Sequence, residues 1–473
     1  MVGQFQANFL GVAQPSEAVV AIAALDSQLM EQYQRRIRVD PWLSRAIVSF
    51  QASKNRPAYR WFKYKEAFSS DLVGYLLSKY GLSGGRLLDP FAGSGTALFA
   101  STKLGFGADG IELLPIATEL IRGRIFLQDQ CTGERIEGVK TWVHSKQWEK
   151  ATSKISLQSL KITTGAYPPH TVDTIERYLG ASETEEAFRR TCLRMALLCV
   201  LESVSYTRKD GQYLRWDNRS GRHVGKKPFS KGRILPFDDA IALKIDEILS
   251  DLSNVDRHGS DGTQGQICLF PGSCLRVMPQ LTAASYDVVF TSPPYCNRYD
   301  YTRTYALELA ALGLSEAEVV DLRQEMLTST VENRPKQLVG IKADWQEPIS
   351  IVDKLEPIQS IIGYLESQKS GGMLNNSGIP RVIKGYFYEM AFVIAECSRL
   401  LRTGGFVFMV NDNVRYAGAS ISVDLILAQV AEALGFEVDA ILVLPGAKGN
   451  SSQQMGAHGR EMLRKCVYVW RKR

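Results

Sequence analysis

Residues 86–96 read RLLDPFAGSGT, a short apolar run that ends in an acid and a glycine-rich loop. The apolar run predicts a buried strand, and the apolar spacing of Ala97–Leu104 predicts a helix directly after the loop. Gly93 and Gly95 have no Cβ atom, so the backbone between strand and helix can turn tightly and approach a ligand closely. The stretch therefore predicts a strand–loop–helix unit with a binding loop at its turn.

The next predicted strand, Gly107–Ile111, ends at an acid, Glu112. A carboxylate about 20 residues after such a loop commonly accepts hydrogen bonds from ribose hydroxyls. Leu98 takes the place of the third glycine of dinucleotide-binding loops, so a nucleoside cofactor without phosphates is favoured over a pyrophosphate. The alternative interpretation, a structural turn with an incidental acid, accounts for less of the pattern.

Strand and helix patterns alternate on both sides of the glycine loop. Alternation of this kind is typical of sheets with mainly parallel strands, so the sequence predicts an α/β fold. Two polar, mainly helical blocks interrupt the alternation and are interpreted as insertions. Further strands are predicted at Ile267–Phe270, Tyr286–Phe290, Phe406–Val410, Glu437–Leu444 and Cys466–Trp470. The predicted division is an N-terminal helical arm (1–54), three parts of one core (55–125, 265–310 and 385–473), a helical and basic insertion (126–264) and a second helical insertion (311–384).

Composition excludes several classes of protein. The 473 residues are 45% hydrophobic and 22% charged, which is ordinary for a globular protein and argues against disorder. The longest apolar run, Ala18–Leu25, is far shorter than the roughly 18 residues that span a bilayer, so no membrane partner is expected. The 8 cysteines form no C-x-x-C pair and have no histidine at zinc spacing. This usage indicates reduced thiols in the cytoplasm and no metal site.

A second motif, Ser292-Pro293-Pro294-Tyr295, follows the predicted strand at Tyr286–Phe290. Open α/β sheets bind their ligands at the carboxyl ends of their strands. The two prolines have no N–H, so the backbone here offers only carbonyl oxygens. A carbonyl beside the Ser292 hydroxyl suits an exocyclic amino group, and the Tyr295 ring offers a face on which a base can stack. The alternative is a turn stiffened by prolines, which the glycine loop upstream makes less favoured.

Together, DPFAGSGT (89–96), Glu112 and TSPPY (291–295) resemble the signature of S-adenosylmethionine-dependent DNA amino-methyltransferases. Residues 62–68 resemble the element of that family that contacts the methionine part of the cofactor, and residues 389–407 resemble its following helix and strand. The resemblance implies a Rossmann-like sheet of seven strands with two mainly helical insertions. It also implies S-adenosylmethionine as cofactor, no metal, and a role in a restriction–modification or related defence system.

The resemblance assigns roles to individual residues. Where the family often has an acid after the third strand to contact the adenine of the cofactor, this chain has Gly272-Ser273. The implied cofactor-binding residues are Lys65, Phe68, Asp89, Pro90, Phe91, Gly93, Gly95, Thr96, Glu112 and Ser273. The implied catalytic residues, which hold the target base, are Ser292, Pro293, Pro294 and Tyr295.

Several substrates remain open at this point. Serine before the two prolines favours N4 of cytosine over N6 of adenine, and the absence of a Pro-Cys dipeptide argues against C5 of cytosine. An RNA guanine-amino methyltransferase shares both signatures, but usually carries a separate RNA-binding domain. A protein-glutamine methyltransferase would prefer Asn before the prolines. The non-enzymatic alternative is an inactive, methyltransferase-like subunit that binds nucleic acid.

The net charge of +6 is concentrated in Tyr206–Arg233, which has nine basic and two acidic residues with interleaved aromatics. Such a mixture suits phosphates and exposed bases, so this segment is the predicted contact with double-stranded DNA, within the insertion that would recognise the target. A duplex base would have to be flipped out of the stack. A cognate restriction or defence subunit is a further expected partner. The predicted DNA-binding residues are Arg208, Lys209, Arg215, Trp216, Arg219, Arg222, Lys226, Lys227 and Lys231, with Arg298, Tyr299 and Arg303 after the Tyr295 motif.

Overall fold

The computed structural model describes residues 16–211, 213–222, 228–254, 265–297, 299–446, 448–449 and 462–473. Most of its strands belong to one central sheet. The strands are β1 (Ile37–Val39), β2 (Gly85–Asp89), β3 (Phe106–Glu112), β4 (Thr207–Asp210), β5 (Tyr213–Trp216), β6 (Ile267–Pro271), β7 (Tyr286–Thr291), β8 (Leu401–Asp412), β9 (Val414–Tyr416), β10 (Ala419–Ile421), β11 (Phe436–Val443), β12 (Lys448–Gly449), β13 (Met462–Leu463) and β14 (Lys465–Lys472).

The central sheet has eight strands in the order β1-β11-β14-β8-β7-β2-β3-β6. The run from β8 to β6 is parallel, whereas β14 is antiparallel to both β8 and β11. The α/β fold is therefore confirmed, with one strand more than expected. The extra strand is β1, which lies in the predicted helical arm and pairs in parallel with Ile441–Val443 of β11.

Helices cover the sheet and form both insertions. The helix α2 shows the local logic, because its buried residues Leu72, Val73, Leu76 and Leu77 recur at three- and four-residue steps. The helices are α1 (Glu17–Tyr33), α2 (Ser70–Lys79), α3 (Thr96–Thr102), α4 (Pro115–Gln130), α5 (Gly133–His144), α6 (Gln147–Lys150), α7 (Pro169–Glu183), α8 (Ala187–Val204), α9 (Phe237–Ser253), α10 (Cys274–Val277), α11 (Tyr301–Thr304), α12 (Ala306–Ala311), α13 (Glu316–Glu325), α14 (Gln346–Lys354), α15 (Glu356–Ser370), α16 (Ile379–Leu400) and α17 (Val423–Ala433). No helix in these described ranges is long and apolar enough to cross a membrane.

The first insertion has a large apolar interior, and the apolar residues of the second insertion join the core. In the first, Trp142, Trp148, Tyr178 and Phe237 form an aromatic cluster with ring centroids 5.3–6.5 Å apart. In the second, Trp345 stacks on Phe392 of α16 with centroids 4.4 Å apart. The second insertion is thus packed against a core helix, so its loops are held in place beside the sheet.

The apolar spacing of residues 183–204 predicts a helix, and α8 forms most of this span. The Glu186 carboxylate accepts the N–H groups of Phe188 and Arg189, so α8 begins at Ala187, whereas Glu183 is the last residue of α7. The composition of Tyr206–Arg233 also predicts a loop, and this prediction was wrong in part, because the segment contains the antiparallel hairpin β4–β5, in which Arg208 lies opposite Arg215.

Candidate functional site

A cavity of about 410 Å³ lies at the carboxyl ends of the parallel strands. Its walls come from the segments that directly follow β2, β3, β6 and β7, together with the end of β8. Both motifs predicted from the sequence therefore face one space. The predicted cofactor and target-base residues that line it are Lys65, Phe68, Pro90, Phe91, Gly93, Thr96, Glu112, Ser273, Ser292, Pro293, Pro294 and Tyr295.

The glycine loop has the backbone conformation for which glycine is needed. Gly93 and Gly95 have φ angles of 53° and 78°, in the left-handed region. A Cβ atom on Gly95 would lie 2.9 Å from side-chain atoms of Phe99 and Ile121, too close to be accommodated. Gly95 therefore supports the loop from behind, whereas Gly93 forms part of the cavity wall.

Two buried carboxyl groups hold the two sides of the cavity together. Glu112 accepts the N–H of Gly93 at 2.6 Å and that of Leu114 at 2.7 Å. Asp89 accepts the hydroxyl of Thr291 at 2.6 Å, which joins the glycine loop to the strand that carries Ser292. Burial raises the pKa of Asp89 to about 7, and burial likewise raises the pKa of Glu112 to about 7 against its two N–H donors.

The proline motif presents a serine, a carbonyl-rich turn and an aromatic ring. Ser292 Oγ donates its proton towards the carbonyl of Val410 at 3.2 Å or the hydroxyl of Tyr295 at 3.3 Å. Its lone pairs are then available to accept a hydrogen bond from a ligand. Cys296, the next residue, is fully buried, and burial raises the pKa of its thiol, so it is a packing residue.

Two charged residues next to Tyr295 were missed by the sequence interpretation. Lys465 Nζ lies 3.5 Å from the Tyr295 hydroxyl, 5.3 Å from the centroid of its ring and 3.4 Å from Asp412 Oδ1. Both line the cavity. Asp412 ends β8, and an acid at a strand end was a usable signal. Lys465 begins an antiparallel strand, and that direction is what brings it to the carboxyl ends of the parallel strands.

The element upstream of the glycine loop forms the next part of the wall. Lys65 Nζ donates to the backbone carbonyl of Lys209, and burial lowers its pKa. Phe68 is buried against Phe290 with ring centroids 5.1 Å apart. Tyr299, predicted to contact DNA, donates its hydroxyl to Glu66 inside this wall. Tyr299 therefore joins the proline-motif loop to the cofactor-side element.

The second insertion completes the cavity at Ser273. The Ser273 hydroxyl donates to the backbone carbonyl of Glu325 at 2.9 Å, and the next residues, Met326 and Leu327, line the cavity. Thr328 is then fixed by Glu389 of α16, which accepts its N–H at 2.7 Å. The insertion thus supplies an apolar wall where the sequence shows no acid.

In the basic segment Tyr206–Arg233, some basic side chains are exposed and others are buried. Arg208 and Arg215 are exposed and both lie near the ring of Phe229, with guanidinium carbons 4.8 and 4.1 Å from its centroid. Arg215 also pairs with Asp210, and Arg219 is exposed but pairs with Asp217. Arg303, outside this segment, is exposed and pairs with Glu332. These arginines keep a face towards solvent, so they remain available to phosphates.

Within the basic segment, three residues predicted to contact DNA have side chains that are turned inward. Lys209 is 3% exposed and pairs with the buried Glu308, beneath the rings of Phe62 and Tyr305. Lys231 donates its ammonium to the backbone carbonyls of Glu202 and Ser205. Trp216 is only 7% exposed, and Arg222 lies over its ring at 4.2 Å. Lys226, Lys227 and Arg298 lie outside the described residues.

The cavity fits the expected cofactor, S-adenosylmethionine. Its wall has the Glu112 carboxylate for ribose hydroxyls and a Gly93 backbone that a ligand can approach closely. The Glu112 carboxylate would repel a pyrophosphate but is compatible with a sulfonium cation. In the described residues, no cluster of three or more His, Cys, Asp or Glu side chains is placed to hold a metal ion.

Comparison with known proteins gives close matches along almost the whole chain. It is 54% identical over 458 residues to the type II methyltransferase M.AvaI of Nostoc sp. (strain PCC 7120), covering 96% of this chain and 94% of that protein. M.AvaI of Anabaena variabilis matches to the same extent. The type II methyltransferase M.BsoBI of Geobacillus stearothermophilus is 37% identical over 455 residues, covering 91% and 88%. No protein-family model matches the chain.

Proposed function

Because this chain belongs to the type II methyltransferase family, it is a DNA methyltransferase, and we propose that it methylates the exocyclic amino group of a flipped base, N4 of cytosine. The observation that carries the proposal is the shared cavity. The glycine loop with Glu112 and the motif Ser292–Tyr295 line the same space, so a methyl donor and an amine can meet in it. Serine before the prolines supports cytosine over adenine.

The chain's own residues would position the amine. Ser292 directs its proton towards Val410 or Tyr295, so its oxygen accepts an N–H of the target amine. The backbone carbonyls of the proline motif accept the second N–H. With both hydrogens held, the nitrogen becomes more tetrahedral and its lone pair can point at the methyl group. Ser292 acts as a hydrogen-bond acceptor that orients the amine. It does not act as a base, since a serine hydroxyl keeps its proton at neutral pH and is then a very weak base.

S-adenosylmethionine, when bound, would supply an electrophilic sulfonium methyl. The amine held by Ser292 and the backbone carbonyls of the proline motif would form the N–C bond as the C–S bond breaks and its electrons stay on sulfur, and the extra amine proton would pass to solvent. The glycine loop and Glu112 would hold the nucleoside part of this cofactor, and Met326 and Leu327 of the second insertion would cover it. Most of the rate enhancement is then expected from proximity and alignment.

Double-stranded DNA would approach over the hairpin β4–β5. Gly211, at its turn, lines the cavity, and Thr304 donates to the Gly211 carbonyl at 3.4 Å. The hairpin therefore connects the exposed Arg208 and Arg215 with the cavity mouth. Flipping costs a few kcal/mol, part of which stacking on Tyr295 would offset. A type II system in the cytoplasm would pair this activity with a cognate endonuclease, which we propose as its partner.

The test is the chemical identity of the product. DNA from a host that expresses the protein is sequenced with modification calling, and its nucleosides are then analysed by mass spectrometry. We expect N4-methylcytosine at one sequence. If the product is N6-methyladenine, the target base is adenine and the assignment to cytosine is wrong. Methylation of RNA alone would overturn the whole proposal.

A variant pair tests the role of the ring. Tyr295→Ala is expected to lower kcat/KM by at least about 100-fold, because stacking and the hydroxyl contact with Ser292 are both lost. Tyr295→Phe keeps the ring and should retain most of the activity. Binding of S-adenosylmethionine, measured by calorimetry, should stay within about twofold in both. Normal turnover in Tyr295→Ala would contradict the proposed site.

A further inference from the structure

Lys465 and Asp412 form a charged pair on the target-base side of the cavity. They are directly opposite each other across the antiparallel strands β14 and β8, so backbone pairing fixes their approach. Both side chains are more than four-fifths buried, yet both line the cavity. The Tyr295 hydroxyl lies 3.3 Å from Ser292 Oγ and 3.5 Å from Lys465 Nζ. The Tyr295 hydroxyl therefore links the ammonium to Ser292, the proposed acceptor of the target amine.

The ammonium has more donors than its known contacts require. Lys465 carries three N–H groups, and its neighbours Asp412 and Tyr295 can take two of them. Those two neighbours, acting against burial, hold the pKa of Lys465 above its usual range, so the side chain is a cation at neutral pH. A remaining N–H that faces the cavity needs an acceptor from whatever enters.

Cytosine and adenine differ in the hydrogen-bond acceptors that they could offer to an N–H of Lys465. Beside its amino group, cytosine has two consecutive acceptors, the ring nitrogen N3 and the carbonyl O2. Adenine has one acceptor, N1, followed by a C–H. A buried donor left without an acceptor is costly, so an ammonium at this site discriminates between the two bases.

Pairing with Asp412 also reduces the repulsion between the Lys465 ammonium and the positive charge that develops on the target amine. The amine gains positive charge as it attacks a cationic methyl donor, and an isolated ammonium nearby would oppose that change. In the pair, the Asp412 carboxylate compensates the Lys465 charge at 3.4 Å. The lysine can therefore donate a hydrogen bond to the base without a large cost to the reaction.

We propose that Lys465 is a specificity-determining residue that donates a hydrogen bond to O2 of the flipped cytosine, positioned by Asp412 and Tyr295. The inference rests on the proposed function and deepens it, because it names the group that selects a pyrimidine with a 2-carbonyl. In this proposal Ser292 binds the amino group of the cytosine, and Lys465 binds O2 at the other end of the same edge of the base.

The experiment pairs a protein change with a base change. Two duplexes carry the target sequence found by modification calling, one with cytosine and one with a 2-aminopyridine C-nucleoside that keeps the amino group and ring nitrogen but has C–H in place of the carbonyl. The wild-type protein should show at least tenfold lower kcat/KM on the analogue. Lys465→Met should treat the two duplexes within about twofold, while Lys465→Arg should keep most of the discrimination.

Lys472→Met is the matched control, because Lys472 lies on the same strand but donates to Ser398. It should discriminate like the wild type. Calorimetry with S-adenosylmethionine shows whether each variant is folded, and Lys465→Leu replaces Lys465→Met if that variant is not. Equal turnover of both duplexes by the wild type overturns the proposal without any variant. Equal losses in Lys465→Met on both duplexes also overturn it, whereas failure to methylate the cytosine duplex at all overturns the proposed function.

Discussion

The loops around the cavity and the basic segment Tyr206–Arg233 acquire their roles in different ways. Glu112 ends β3 and Ser292 directly follows β7, so a parallel sheet brings them to one edge whatever surrounds them. In the basic segment, Lys209 is neutralised by Glu308, a residue 99 positions further along the chain. That a residue lies at a strand end can be inferred from the residues next to it. Whether a basic residue is exposed or paired depends on residues far along the chain, which the composition of the segment does not reveal.

The largest expected effect tests whether Lys209 is structural. Lys209→Met leaves Glu308 buried without its cation, and loss of one member of a buried pair costs about 3–5 kcal/mol. We expect the free energy of unfolding, measured with urea, to fall by that amount. The double variant Lys209→Met/Glu308→Leu should recover most of the loss. If Lys209→Met instead weakens DNA binding with stability unchanged, the division of the segment is wrong.

An intermediate effect tests the cavity side of the comparison. With the pKa of Glu112 raised to about 7, lowering the pH from 8 to 6 protonates the carboxylate that would accept the ribose hydroxyls. The dissociation constant of S-adenosylmethionine should then rise about tenfold, measured by calorimetry. Asp89 also titrates near pH 7, so Glu112→Gln serves as the control and should lose the part of this dependence that belongs to Glu112.

Stability should change in the opposite direction. The folded-state pKa of Glu112 is raised above its ordinary value of 4.5, so its ionisation destabilises the fold fully above pH 7, and this cost disappears as the pH falls. The midpoint of thermal unfolding should therefore rise as the pH falls from 8 to 6, and this rise should be smaller in Glu112→Gln, which no longer titrates. An unchanged pH dependence in Glu112→Gln would show that Glu112 is not the group that titrates.

The smallest effect concerns the exposed arginines. Replacing Arg208 and Arg215 by alanine should reduce the slope of log affinity for duplex DNA against log salt by about 1.8, which corresponds to two phosphates. Arg190→Ala/Lys354→Ala, which removes exposed cations from α8 and α14, should leave the slope unchanged. An unchanged slope in the Arg208/Arg215 variant would remove the hairpin from the DNA interface.

The sequence was sufficient for the parts of the fold and site in which local chemistry decides. Glycine is needed at Gly93 and Gly95 because both have positive φ. The short apolar runs before Asp89 and Ser292 indicate buried strands, and both are strands in the structure. Placement of the two motifs at one cavity then follows from parallel strand direction. These features are encoded within about ten residues each.

The remainder depends on long-range pairing. The three residues of β1 are too short to stand out from a helical arm, and they become a strand only beside β11. Lys465 reaches the cavity only because β14 runs antiparallel. Met326 and Leu327 become cavity residues only because Ser273 and Glu389 hold the insertion against the core. None of these contacts has a signal in its own stretch of sequence.

The position of β14 has a consequence for when the protein becomes active during synthesis. In the described residues it is the last strand along the chain, yet it lies between β8 and β11 in the interior of the sheet. A growing chain thus carries both neighbours before the strand that joins them has been made, and one side of the sheet stays open until then. Lys465 arrives with β14, so this part of the cavity wall is completed in the same event. We therefore expect chains that end before this strand to be inactive.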